Sequence, residues 1–548
     1  MKIFSLLICL FFTQKALFAQ TSTSGKIETI FQSFDQIDQP GLSVGVIKGS
    51  DLIFKKGYGA ANLDYGIKNA TSSLLDVGSI AKQFTAACIW TLLDSGKISL
   101  DDDVRKYLPE LPFYGDTIKI RHMLNHTSGL RNYASILELA GVDYTQQKFS
   151  NQSVFELTCR QKGLNNIPGE KVLYGNTPYN LLTIIIERIT NQSFGEYAKS
   201  HLFKPLGMKN THFRITNTAI VKNRATGYKK EGEAGFIQIN RIETCFGAGS
   251  LWSSVDDLLI WSSYFINPTP DTKDLMEFLL HQDQLLSGEL SSYSRGVMVD
   301  EYKNVETVHH GGYTAGYRSQ LMSVPELELS IVILTNSQSI DPGSLSYQVL
   351  DLFLENFAAS QKVEKPYIHS LKELAKFEGD YQEINSSLKM NISLQGDTLK
   401  SKSSLGRSYI SLVSKNKNTL HRLDAESVKY IFNPEDQSCD LVVYFGATPF
   451  YFERITLVDP GQINLKEFCG SFYSAELEVT YQVSLEDNQL QLSYPKNEGI
   501  PLVPGPKDEF GNGYRTNYEF VRNQNNEIIK LLVASEGTVK DIEFVKKS

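Results

Sequence analysis

Ser79-Ile80-Ala81-Lys82 places a hydroxyl and an amine three residues apart where a loop enters an apolar helical stretch, AKQFTAACIWTLLDSG. That spacing puts both side chains on one face, one turn apart. Free backbone N–H groups at a helix start favour developing negative charge, and a partly desolvated amine there can take a proton from serine. Alone the pattern says little, because a serine and lysine at this spacing are more often a solvated helix start; Ser414–Lys417 repeats it in a β-rich region. Two further stretches add chemistry. Tyr174-Gly175-Asn176 follows a Pro168-Gly169 turn and can offer a phenol for proton relay and an amide to hold a carbonyl. His310-Gly311-Gly312-Tyr313 sits before a strand, where glycines let the backbone approach a ligand and give a substrate oxygen an N–H. Gly41-Leu42-Ser43-Val44-Gly45 matches a nucleophile elbow, but Ser43 lies in an apolar strand that runs into a hairpin, without the following helix that motif requires.

Other chemistries lack their residues. No H-E-x-x-H or C-x-x-C spacing occurs among nine histidines and six cysteines, so no metal or other cofactor is expected. With Lys plus Arg at 54 against 62 acids, the net charge is −8, and no basic stripe invites nucleic acid. Residues 1–19 start with Lys2, carry an apolar run from Ile3 to Phe12 and end at Ala19. They read as a signal peptide cleaved after Ala19, which makes the mature protein periplasmic or secreted with no stable membrane span. Cys88, Cys159, Cys245, Cys439 and Cys469 then remain, an odd and scattered set that reads mostly as small buried hydrophobes.

The elements that must position these groups divide the 548-residue chain near residue 362. Before it, Leu42–Lys48 and Leu52–Gly59 read as a hairpin, and two strands at about 317–324 and 328–335 flank Pro325-Glu326. Helical periodicity covers about 79–95, 178–191, 255–265 and 343–357. The run LSIVILTN is apolar throughout, as in a central strand covered on both faces. An α+β domain with an antiparallel sheet packed by helices is expected over 20–362. After Lys365 short alternating strands dominate. FEGDY at Phe377–Tyr381 recurs as FCGSF at Phe468–Phe472, 91 residues later. Two small antiparallel β-barrels, 366–460 and 461–548, are expected, with one larger β domain as the alternative.

The order Ser79-x-x-Lys82, Tyr174-x-Asn176, His310-x-Gly312 resembles the serine β-lactamase and penicillin-recognising superfamily, in its class C-like hydrolase branch. LNHTSGL at Leu124–Leu130, PGEKVLYGN at Pro168–Asn176, GAGSLWSSVDDLLIW at Gly247–Trp261 and HGGYTAGYRS at His310–Ser319 agree, over about 28–358. The resemblance implies an α/β/α sandwich with a helical insert. It makes Ser79 the nucleophile of an acyl-enzyme and gives Lys82 and Tyr174 the general-base and general-acid work. Asn176 would orient the acyl amide. The N–H groups of Ser79 and Tyr313 would form the oxyanion hole, and His310 and Gly312 would fill the third motif. His126 is expected to hold a loop. β-Lactamases and transpeptidases usually carry lysine where His310 stands, and a neutral imidazole attracts a substrate carboxylate less. The departure favours an esterase or D-aminopeptidase acting on a small ester, amide or peptide over a β-lactamase or D,D-carboxypeptidase, although Arg318 could compensate. A penicillin-binding-like sensor without turnover is the non-enzymatic alternative. The β-rich tail resembles the paired lipocalin-like barrels of D-aminopeptidases of this superfamily, in which a loop of the last barrel helps shape the pocket. Ligand carriage by the barrels alone is a further alternative.

Overall fold

The computed structural model describes residues 23–547 except 144–145, 217, 233–234, 355–366, 385, 405, 407, 424, 435–438, 446–447, 459–460, 462 and 513–514. The expected signal peptide at 1–19 and the expected junction at 362–366 lie outside the described residues.

Six strands build the first sheet: β1 (Leu42–Lys48), β2 (Asp51–Tyr58), β3 (Met298–Tyr302), β4 (Val305–Thr314), β5 (Tyr317–Val324) and β6 (Leu329–Thr335). Their order is β3-β4-β5-β6-β1-β2, with every pairing antiparallel. β6 is buried along its whole length. Its side chains alternate between two cores, as a period of two demands. Ile331 and Ile333 join Val349 and Leu350 of the Pro342–Leu354 helix. Val332 and Leu334 join Leu258 and Trp261 of the Val255–Ile266 helix. The expected sandwich is therefore present: sheet, helices on both faces, and an insert of further helices that includes Ala81–Asp94 and Thr177–Thr190.

The Gly-x-Ser-x-Gly pattern is a packing feature. Ser43 is fully buried in β1 and donates to the Ala70 carbonyl at 2.8 Å. A Cβ on Gly45 would stand 2.6 Å from the Val255 side chain, so that glycine seats the Val255–Ile266 helix on the sheet. Two expectations need correction. His310-Gly311-Gly312-Tyr313 lies within β4 instead of before a strand, because the tolerated glycines pair normally, Gly312 opposite Ser319. The nucleophile helix starts at Ala81, and Gly78–Ile80 forms a 3-10 turn with Gly78 at φ +54° and its N–H held by Asp76 at 3.0 Å.

The tail forms two antiparallel barrels. Eight strands, from Gly379–Glu383 to Thr448–Ile455, close on themselves where Tyr381 pairs with Arg454. Nine strands make the second sheet, whose end members, Asn497–Pro501 and Val503–Pro504, are consecutive in the chain and leave it nearly closed. The repeated motif does the same job twice. Phe377 and Phe468 are buried, and Gly379 (φ +153°) and Gly470 (φ +150°) start the first strand of each barrel. In each, a cation from the last strand lies over the motif's final ring: Arg454 is 5.1 Å from the Tyr381 centroid and Lys546 5.7 Å from that of Phe472. The second barrel's core continues into the helical insert through Tyr133, Ile136, Leu137 and Leu139.

Candidate active site

Lys82 carries the site. Its side chain is fully buried and its Nζ lies 3.1 Å from Ser79 Oγ, 2.9 Å from Asn176 Oδ1 and 3.0 Å from the Ala248 carbonyl. Burial pushes its pKa well below the usual lysine value. The two carbonyl oxygens can only accept, so they take both N–H bonds of a neutral amine. Its lone pair is then left to the Ser79 hydroxyl. The amine also sits over the rings of Tyr174 and Tyr179, with centroids 4.7 and 5.8 Å away.

Around this pair the chain brings together the residues read from the sequence. Tyr174 and Asn176 occupy the loop that enters the Thr177–Thr190 helix. The Tyr174 hydroxyl is buried without a hydrogen bond of ordinary geometry; burial raises its pKa, and Ser79 beside it partly offsets the rise. His126, at φ +59°, holds that loop as expected: its Nδ1 accepts the Gly175 N–H at 3.4 Å and its carbonyl the Leu173 N–H at 2.8 Å. Gly312 permits a close meeting of backbones, since a Cβ there would lie 2.0 Å from the Val77 carbonyl oxygen. Across the same contact, a Cβ on Gly78 would stand 2.9 Å from Tyr313 N, so the strand's amide faces the nucleophile turn. Ser319 fastens the two by donating to Val77 O at 2.7 Å. The Tyr313 side chain itself is 66% exposed.

His310 is an uncharged member of the wall. Its Nδ1 donates to the Gly311 carbonyl at 2.6 Å and its Nε2 accepts from the Tyr293 hydroxyl at 3.0 Å. Burial, with Lys82 nearby, pulls its pKa down to about 3. Arg318 reaches the same cleft but is paired with Asp341 at 2.9 Å. Tyr293 and Asn132, which the sequence reading did not single out, complete the wall. Asn132 lies two residues past the HTSGL stretch; Tyr293 lies in SSYSRG, which carries no recognisable signal.

Ser79 and Tyr313 stand between two cavities. One, of about 590 Å³, is lined by Tyr174, Tyr293 and His310 and roofed by both barrels, through Phe450 of the first and Arg515, Glu536 and Gly537 of the second. The other, of about 350 Å³, is lined by Asn176, Arg241, Cys245 and Ala248. Arg515 ties the roof together, bonding Glu383 of the first barrel at 2.5 Å and Glu536 of the second at 3.0 Å. The Ser414–Lys417 lookalike lies far down the first barrel, with Ser414 Oγ on His369 Nδ1 at 2.8 Å. Among the described residues no cluster of histidine, cysteine and acid side chains is arranged for a metal, and no helix is long and apolar enough to cross a membrane.

The protein-family model described as Beta-lactamase matches residues 27–351. Protein flp of Staphylococcus aureus (strain MW2) is 28% identical over 311 residues, 55% of this chain and 60% of that protein. A D-aminopeptidase of Gluconobacter oxydans is 30% identical over 304 residues, 55% of this chain and 56% of its own length. The matches thus span somewhat more than half of each of these relatives. Among solved structures, the octameric penicillin-binding protein homologue from Pyrococcus abyssi shares the fold, with a TM-score of 0.55 at 23% identity, covering 86% of this chain and 98% of that one. With the family model spanning well over half of its residues, the chain belongs to the Beta-lactamase family.

Proposed function

We propose that the chain is a serine hydrolase that cleaves an ester or amide through an acyl-enzyme on Ser79. Lys82 takes the Ser79 proton as the oxygen attacks the substrate carbonyl. The N–H groups of Ser79 and Tyr313 receive the oxyanion, an interaction whose loss typically costs about 10²–10³-fold in kcat. As the carbon–heteroatom bond breaks, the ammonium of Lys82 returns the proton to the leaving group by way of the Tyr174 hydroxyl. Water then attacks the acyl carbon along the same relay, giving up its proton and restoring the Ser79 hydroxyl. Asn176 orients the acyl side. The observation that supports this most is the buried Lys82 amine, with two carbonyl acceptors on its N–H bonds and Ser79 Oγ at 3.1 Å.

The substrate we assign is a D-amino-acid amide, a short peptide of that kind or a small ester. The named activity of the Gluconobacter relative supports it. So does the uncharged His310, which gives a lactam or D-Ala-D-Ala carboxylate no cation, while Arg318 is occupied by Asp341. The amino-terminal Lys2, apolar run and Ala19 support export to the periplasm or medium, which N-terminal sequencing of the secreted protein tests. For the reaction, p-nitrophenyl acetate, D- and L-phenylalanine p-nitroanilide and nitrocefin are assayed on wild type and Ser79→Ala. Turnover of the ester and the D-anilide, lost in Ser79→Ala, is expected. Nitrocefin as the preferred substrate would replace this reading with a lactamase, and undiminished turnover in Ser79→Ala would remove Ser79 from the reaction.

A further inference from the structure

A line of hydrogen bonds runs from a turn of the second barrel to the proposed base. The Thr538 carbonyl accepts the Asn132 N–H at 3.1 Å. Asn132 Oδ1 accepts the Asn176 N–H at 3.1 Å, and Asn176 Oδ1 accepts from Lys82 Nζ at 2.9 Å. Thr538 is anchored to the same region twice more, by Asn165 Nδ2 on its carbonyl at 2.7 Å and by its hydroxyl on Ser135 Oγ at 3.1 Å. Next to Asn132, Arg131 is buried against Glu476 of the barrel at 2.6 Å and reaches the Lys540 carbonyl at 2.7 Å. Two barrel anchors thus flank the backbone of Asn132, while its side chain serves the site.

We propose that Asn132 is a positioning residue through which the second barrel sets the Asn176–Lys82 geometry. The inference rests on Lys82 acting as the base of the proposed reaction. Asn176 must hold two relations at once: its side-chain oxygen on the amine, and its backbone at the mouth of the Thr177–Thr190 helix. The Asn132 amide oxygen fixes the second. A loosened Asn176 leaves the amine with one carbonyl acceptor, Ala248 O, and lets its lone pair swing away from Ser79. The titratable groups that face Lys82 are Tyr174 and Tyr179, whose rings it covers, and His126 and His310, whose protonation an ammonium at Lys82 would oppose. No carboxylate is among them, so a carboxylate placed at residue 132 adds a negative charge on the Asn176 side of the amine, apart from the Arg241, Arg318, Asp341, Glu383, Arg515 and Glu536 side chains that line the two cavities.

The test uses full-length protein, p-nitrophenyl acetate and a fluorophosphonate label. Asn132→Ala is expected to lower kcat by about 10²-fold, the scale of a misplacement of an ångström or so, with KM and the melting midpoint changed little. Asn132→Asp keeps an acceptor for the Asn176 N–H and so restores most of kcat. Its carboxylate favours the Lys82 ammonium, so the acidic limb of the kcat/KM profile moves to higher pH. The displaced limb reports how near residue 132 stands to the amine, and the recovered kcat reports the acceptor for the Asn176 N–H. Gly537→Pro, which distorts the turn carrying Thr538, is then combined with Asn132→Ala, and the two effects on labelling rate are expected to be less than additive. Wild-type kcat in Asn132→Ala, an unmoved limb in Asn132→Asp, or full additivity would each overturn the proposal. Should Asn132→Ala lower the melting midpoint, the kcat of Asn132→Asp decides: recovery supports the positioning role and its absence overturns it. Ser79→Ala distinguishes this failure from failure of the hydrolase reading: if it is inert while Asn132→Ala is fully active, only the positioning role falls.

Discussion

The two barrels carry the same Phe-x-Gly-x-aromatic motif, each with a cation over the motif's last ring (Arg454 over Tyr381, Lys546 over Phe472), yet they belong to the molecule differently. The first closes around its own apolar residues, from Leu374 to Phe452. The second shares one apolar cluster with Tyr133, Ile136, Leu137 and Leu139 of the insert, and with Val154, Leu157 and Cys245. Tyr481 of this barrel donates its hydroxyl to the Leu139 carbonyl at 2.6 Å. A repeat fixes a barrel's frame, whereas its role is set by what its interior meets. An insert helix with Ile136, Leu137 and Leu139 buried completes the second core, and the same helix follows directly on Asn132. The first barrel reaches the cleft by its rim, through Phe450 and the Glu383 pair with Arg515.

The largest effect is expected where the second barrel is pinned. Glu476→Gln leaves the Arg131 guanidinium buried without its carboxylate, which costs about 3–5 kcal/mol. Urea denaturation is expected to read that loss and esterase assays a parallel loss of activity. A midpoint within error of wild type would dissolve the distinction between the barrels. Next, Leu137→Ala and Leu420→Ala remove matched buried leucines, each worth about 2–5 kcal/mol. Only Leu137→Ala, in the shared core, is expected to lower kcat/KM at a temperature where both variants remain folded. Equal catalytic losses would mean that the first barrel is coupled to the site just as closely.

Acid separates the regions from the other side. Burial lowers the pKa of His122 to about 4 and that of His310 to about 3, in the latter with Lys82 adding to the effect. The unfolded chain takes up these protons first, near pH 6.5. Their contribution is therefore whole above that pH and is lost as pH falls toward 3. The denaturation midpoint is expected to fall over that window, and His310→Gln to flatten the fall. The smallest effect lies at Tyr174, whose buried hydroxyl has no well-aligned partner. Tyr174→Phe relieves a cost of order 1 kcal/mol while weakening the proton relay. Calorimetry is expected to show a higher melting temperature together with a lower kcat; a lower melting temperature would place a stabilising hydrogen bond on that oxygen.

Much of the site was legible because its chemistry is local or motif-bound. The Ser79–Lys82 spacing gains meaning only with Tyr174-x-Asn176 and His310-x-Gly312 in the same order, and the structure brings Ser79, Tyr174 and Asn176 around the Lys82 amine, with Gly312 against the Val77 carbonyl beside it. Ser43 could be dismissed for the same reason, since an apolar strand leaves no exposed turn. The placement of His310 within β4 was not legible, because a Gly-Gly pair usually ends a strand, whereas here Gly312 is demanded by the Val77 carbonyl lying against it. Tyr293 and Asn132 were missed because their roles come from partners 17 and more than 400 residues away, His310 and Thr538, and no short-range pattern encodes such a meeting. The barrel repeat was legible through Phe, Gly and aromatic spacing. Its unequal docking was not, since it depends on which surface a helix of the insert happens to cover.

Activation of Ser79 by an un-ionised Lys82 can be read by mass spectrometry of protein treated with a fluorophosphonate across a pH series. A single adduct on the peptide bearing Ser79 is predicted, formed rapidly at neutral pH and absent from Ser79→Ala, with labelling slowed by orders of magnitude in Lys82→Met. An unlabelled protein, an adduct on another residue, or a Lys82→Met variant that labels at the wild-type rate would contradict the account.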